Sequence, residues 1–198
     1  NNTLNFNGSV FYSERSNQQV RTSFQLVPND PASFVFFTDN AAKGRTLGLE
    51  ADLRWQANES WQFYANVGFL KAEFKDFSAP QIDLSGRRQA HAPDYTVAFG
   101  GVYRNSSGLF AGLDYIARDE FYFDVSHDQL SFAVEIVNAR IGFDADRWSA
   151  QLWARNLFDE HYAVRGFYFG NEPPNFLNEL YLRYGDPHQI GVNIDMKF

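Results

Sequence analysis

Cysteine is absent from the 198 residues, methionine occurs once, and no apolar run approaches the roughly 18 residues of a membrane-crossing helix. The first absence removes disulfides, thiol nucleophiles and thiolate metal sites. The last removes a transmembrane helix but leaves open a membrane barrel, whose strands each carry a much weaker signal. Positive charge is also short: 17 Lys and Arg face 24 Asp and Glu, a net −7. With no basic cluster, the chain is not a general nucleic-acid binder. The histidines, His91, His127, His161 and His188, lie far apart and make no His-Glu-x-x-His pattern. No Gly-x-Ser-x-Gly elbow or phosphate-cradling glycine loop occurs. No catalytic residue, resident metal or cofactor is therefore expected, and the chain does not read as an enzyme. Residues 1–11 have neither the basic start nor the apolar centre of an export signal, so any such signal is expected upstream or already removed.

What is abundant is aromatic, 18% of the chain with 21 Phe and 10 Tyr. These and the β-branched residues favour pleated surfaces, with Asn, Asp, Gly and Ser between them as turn formers. Strict period-2 alternation predicts strands with two unlike faces. In 188–198, Ile190, Val192, Ile194, Met196 and Phe198 alternate with Gln189, Gly191, Asn193, Asp195 and Lys197. Residues 47–55, 61–69 and 137–143 behave alike. Tyr95–Arg104, Leu109–Arg118 and Trp148–Arg155 alternate with Val102, Phe110, Ile116 and Trp153 out of place. Residues 4–12 and 19–26 complete a prediction of about nine strands.

Short polar links at 13–18, 56–60, 104–108 and 144–147 take turns with long ones at 27–44, 74–93, 119–131 and 158–187. All tight turns then lie at one end and all large loops at the other, as in an outer-membrane barrel with short periplasmic turns and long extracellular loops. Tyr12, Trp55, Trp61, Tyr103, Phe143, Trp148 and Phe198 fall at the short-turn end as an interfacial girdle. The polar face carries Glu50, Asp52, Arg54, Asp114, Arg118, Arg140, Arg155, Asp195 and Lys197 among Gly, Asn and Gln, which suits a wide hydrated interior. Single-chain bacterial barrels close with even strand counts. An odd count, and a first strand that runs toward the short-turn end, lead us to expect further strands upstream.

Several motifs now point one way. Asn156-Leu157-Phe158-Asp159-Glu160-His161-Tyr162, the preceding strand Asn138-Ala139-Arg140-Ile141-Gly142-Phe143, the segment Asn40-Ala41-Ala42-Lys43-Gly44 leading to Gly48-Leu49-Glu50, and the ending Tyr184-Gly185-Asp186-Pro187 with a strand to Phe198 resemble TonB-dependent outer-membrane receptors. Ala42 stands where that family usually has Gly. The resemblance implies that residues 1–198 are the C-terminal portion of an all-β, antiparallel transmembrane barrel of about 22 strands, with the plug domain not included. It also implies uptake of a scarce nutrient, first of all a ferric siderophore, powered through TonB by way of an upstream plug. The implied partners are outer-membrane lipid and the barrel assembly machinery, which reads Phe198 as its signal.

Ligand contacts are expected on the extracellular loops. Arg118-Asp119-Glu120-Phe121-Tyr122-Phe123-Asp124 and Arg165-Gly166-Phe167-Tyr168-Phe169-Gly170 combine rings with charge, suited to a planar anion. Phe121, Tyr122, Phe123, His127, Arg165 and Tyr168 are the candidates; packing of loop against loop is the competing account of each. Two other readings of the whole chain stay open at this point. One is a self-contained small outer-membrane barrel with a structural or adhesion role. The other is a soluble barrel with its apolar face inside.

Overall fold

A computed structural model describes residues 3–27, 30, 33–79, 82–125, 127–170, 172–177 and 179–196. Every regular element in it is a strand: β1 Leu4–Gln25, β2 Phe34–Gln56, β3 Trp61–Ala79, β4 Ile82–Asp83, β5 Tyr95–Arg104, β6 Leu109–Arg118, β7 Val134–Asp144, β8 Trp148–Arg155, β9 Ala163–Phe169, β10 Glu179–Tyr184 and β11 Gln189–Met196. Neighbours pair antiparallel in the order β1-β2-β3-β5-β6-β7-β8-β11, with β4 attached to β3. The pair β9–β10 forms a separate hairpin. The tight turns have local causes. Asn58 Oδ1 accepts from the backbone N–H of Ser60 and Trp61 at 2.9 and 3.0 Å. Asn105 Oδ1 does the same for Ser107 and Leu109, both at 3.0 Å, and Gly108 follows with φ +99°, which an L side chain rarely adopts.

The structure corrects the reading of the first strands. Residues 13–18 are not a turn; they lie inside β1, with register shifts between Arg15 and Gln18 and between Gln18 and Val20. The wall therefore has eight long strands in place of the expected nine. β1 runs away from the short-turn end, since Leu4 pairs with Trp55, and the argument from an odd strand count falls with it. Tyr12 pairs with Leu47 in mid-strand and is not part of the girdle. Much of the expected long loop at 27–44 is strand, because β2 starts at Phe34, and β3 likewise continues to Ala79. Short links still alternate with long ones. Phe198 lies outside the described residues.

Register shows why the alternation matters. Partners directly across a strand pair share a face. Thus Tyr12, Leu47 and Lys71, and further down Val10, Leu49, Phe69 and Tyr95, run in rows across the sheet. One face carries Leu4, Phe6, Leu53, Val97, Phe99, Leu113, Ile141, Leu152, Val192 and Ile194 without a charge between them. Most of these are exposed; Ile194 keeps 65% of its surface. An unbroken apolar face that crosses eight strands is not the small patch of a soluble monomer. It is a lipid-facing surface.

The other face is polar, and two of the four apolar residues that broke the pattern there lie over glycines. Phe110 lies over Gly142 and Trp153 over Gly191, as Phe11 lies over Gly48 and Tyr64 over Gly100. In each case the ring occupies the space that a Cβ on the opposite strand would fill. Beside them the Tyr64 hydroxyl donates to Asp114 Oδ1 at 2.8 Å and Arg140 binds Asp114 Oδ2 at 2.8 Å. Removing Asp114 leaves both donors without their acceptor. Asp114→Ala is expected to cost the wall about 1–2 kcal/mol, read as a lower denaturant midpoint for the protein in detergent.

No large side chain is wholly buried in the sheet among the described residues. The buried apolar clusters sit at the long-loop end: Val20, Phe74 and Phe77 with Leu84 and Val125, and Phe121, Phe123 and Ala163 with Leu180 and Leu182. Packing is thus concentrated where the loops meet.

Candidate functional site

β6 brings Arg118 to the outer end of the polar, inward face. Its guanidinium lies 4.8 Å from the centre of the Phe121 ring and donates to the carbonyl of Ala163 at 3.2 Å. One arginine thereby ties the loop after β6 to the start of β9. Ser131 closes that loop's base: its N–H reaches Phe121 O at 2.8 Å and its Oγ accepts from Phe121 N–H at 3.0 Å. Phe123 meets Phe121 edge-on at 5.6 Å and fills the space over Gly166 in the hairpin.

Arg87, from the loop after β3, enters the same assembly. It lies 4.1 Å above the Tyr122 ring, donates to Val125 O at 2.8 Å and to His127 O, and faces Asp128 at 3.5 Å. Arg88 gathers Asp94, Asp119 and Glu120 at 3.2–3.6 Å. Asp119 and Glu120, two of the three acids that made the 118–124 motif look ligand-binding, are thus held by an arginine. His127 bonds Asp124 through Nδ1 at 2.7 Å and stacks on Tyr168 at 3.5 Å. Desolvation, then Asp124 and Asp128, pushes the Tyr168 phenol up, so it stays protonated. Partial desolvation, then the charge of Arg165, holds the His91 imidazolium below its ordinary value; its ring leans on Phe121 at 5.2 Å.

Below the hairpin, two of the sequence motifs meet in one knot. Asn156 is 4% exposed with φ +47°. Its Nδ2 donates to Glu160 O and Asp186 O at 2.9 and 3.1 Å, and its Oδ1 accepts from Glu160 N–H at 2.8 Å. Asp159 Oδ1 accepts from His188 N–H at 2.9 Å, and Tyr162 covers Gly185. The residues 156–162 and 184–188 thus clasp both ends of the excursion that carries β9 and β10.

With this geometry established, a family model described as TonB dependent receptor-like, beta-barrel matches residues 1–157. The chain belongs to this family. TonB-dependent receptors are β-barrels of the outer membrane and are transporters, not enzymes. The lipid-facing row of residues accords with that location. Among solved structures, the chain is similar to the ferric yersiniabactin uptake receptor FyuA of Yersinia pestis, at 18% identity and TM-score 0.75 over 99% of this chain and 28% of that one. It is similar to the siderophore receptor PiuA of Acinetobacter baumannii, at 18% identity and TM-score 0.73 over 98% and 26%. The pyoverdine receptor FpvA of Pseudomonas aeruginosa follows at 15% and 0.69 over 99% and 27%. The chain spans little more than a quarter of these receptors.

Within the TonB-dependent receptor barrel, the expected ligand residues separate into groups. Phe121 and Phe123 are buried, at 3% and 4% exposure, and pack loop against loop. Tyr122 is half-buried under Arg87, while His127 and Tyr168 are brought together as a stacked pair. Arg165 stands exposed on the other face of the hairpin. Sequence reading missed Arg87, whose partners are mainly backbone carbonyls that no motif marks. It also missed Tyr181 and Arg183, although the alternating run Glu179–Tyr184 carried a strand signal.

Proposed function

We propose that this chain forms wall and outer mouth of a receptor that takes up a ferric siderophore, with TonB supplying energy through a plug in the lumen. The observation that carries the reading is the assembly of loops on the inward side of the wall, which sets arginines and aromatic rings above a polar interior. Anionic chelates suit that chemistry through charge-assisted hydrogen bonds and stacking. The similar structures include receptors whose names specify ferric yersiniabactin and pyoverdine. OprC, also similar, is named a copper transporter; this chain has one Met and no Cys as soft ligands for copper(I). Tyr122, His127, Arg165 and Tyr168 form the ligand-facing rim, and Phe121 and Phe123 hold it from below. Phe198 serves as the signal to the barrel assembly machinery, and outer-membrane lipid covers the apolar face.

The test is growth under iron limitation of a strain lacking the receptor, with and without the restored gene, on single ferric chelates. Restored growth on one siderophore, abolished when TonB is removed, is the expected result. Equal growth of both strains on every chelate, together with restored uptake of a nutrient that carries no iron, would sink the proposal.

A further inference from the structure

Only one face of the β9–β10 hairpin takes part in the packing described above. Gly166, Leu180 and Leu182 turn toward Phe121 and Phe123, and Tyr168 toward His127. The opposite face carries Arg165, Phe167 and Phe169 on β9, across from Arg183, Tyr181 and Glu179 on β10. Register sets Arg165 directly opposite Arg183 and Phe167 opposite Tyr181, whose rings stack 5.6 Å apart at 19°. Arg118 reaches Ala163 from the inward side of β6, so the hairpin starts on the inward side of the wall, and this second face is the one that the packing on Phe121 and Phe123 leaves uncovered. Phe167 and Phe169 are about half exposed there, and both arginines are exposed.

Two cations directly opposite in an antiparallel pair repel. Neither makes an ion pair among the described residues. The hairpin's carboxylates lie toward its tip, where Glu172 accepts from the Tyr181 hydroxyl at 3.1 Å and Glu179 pairs with Phe169. The pair therefore weakens the hairpin while offering two planar forks of donors beside two stacked rings. A ligand that carries delocalised anionic oxygens on an aryl group satisfies both features: the oxygens take the guanidinium donors and the ring extends the stack.

We propose that Arg165 and Arg183, with Phe167 and Tyr181, form a recognition platform for an anionic, aryl-bearing iron chelate. This rests on the uptake reading and adds to it the chemical class and the residues that select it. The probe is the gallium(III) complex of 2,3-dihydroxybenzoate, anionic and aromatic, titrated into the complete receptor in detergent by calorimetry. A neutral gallium trihydroxamate is the control.

Arg165→Gln and Arg183→Gln are each expected to weaken the aryl chelate about tenfold, equivalent to about 1.4 kcal/mol, and Arg183→Gln to leave any binding of the control unchanged. Both also relieve the repulsion, so amide protection across 163–184 holds or rises. Arg183→Glu sets opposite charges across the pair; it raises protection further and removes binding. That opposition of affinity and protection separates recognition from a structural role. Unchanged affinity in these variants, or affinity and protection lost together, overturns the platform while leaving the receptor reading in place. Absence of aryl-chelate binding to the unaltered receptor also overturns it, and absence of binding to any ferric or gallium chelate overturns both.

Discussion

Replacing Asn156 by Ala is expected to release the excursion between β8 and β11, at a cost of about 3–4 kcal/mol. The amide carries two donated bonds and one accepted bond in a site that is 4% exposed. Truncation leaves the carbonyls of Glu160 and Asp186 and the N–H of Glu160 unpaired, at about 1–3 kcal/mol for each buried group before relaxation and entering water reduce the sum. Ala must also hold φ near +47°, where Asn is one of the tolerated residues. Asn156→Gly separates the two contributions, since it removes the hydrogen bonds and keeps the backbone freedom. Hydrogen exchange should show 156–188 losing protection in both variants, more in Ala than in Gly, while β5, β6 and β7 stay protected. Uniform loss across the wall would contradict a local clasp.

The second large effect is expected at Arg87. Its side chain is 10% exposed and serves one ring, three carbonyls and one carboxylate. Arg87→Lys keeps the charge but not the fork of donors, so it is not conservative here. It should cost roughly 2 kcal/mol, and Arg87→Ala roughly 3 kcal/mol, from the lost hydrogen bonds and the cation over Tyr122. The reporter is proteolysis within 122–130. Cleavage should accelerate in both variants without a change in the strands below. If it does not, Arg87 is a passenger on a loop that docks by Phe121 and Phe123 alone. Because uptake is proposed to need the rim, the same variants should also lower uptake of ferric chelates.

The sequence was readable wherever a strand separates lipid from water. Residues 47–55, 61–69 and 188–196 lie in that zone, and their alternation predicted face as well as extent. Residues 13–18 failed because that part of β1 pairs with residues 42–46, where the strand leaves the apolar zone. Water then meets both sides, and Ser13, Glu14, Arg15, Ser16, Asn17 and Gln18 read as a turn. Asn17, with φ +54° inside the register shift, adds to the resemblance. The motifs at 156–162 and 184–188 were visible as strings, but only the fold shows that they touch. Phe121 and Phe123 looked like ligand residues because a ring beside charges has the same signature whether it faces a guest or a neighbouring loop.

The rings laid over glycines solve a problem that alternation leaves unsolved. A slip of one residue between strands turns every side chain to the wrong face and is excluded by the cost of charges in lipid. A slip of two restores both faces, so grease against lipid and polarity against water permit it equally well. After such a slip Phe11 would meet Thr46 or Glu50, Tyr64 would meet Ala98 or Val102, and Trp153 would meet Gln189 or Asn193. None of these leaves the gap that Gly48, Gly100 and Gly191 provide. The vacant positions act like the wards of a lock: they reject the sliding alignments that the membrane accepts, and so set how far each strand is offset from the next.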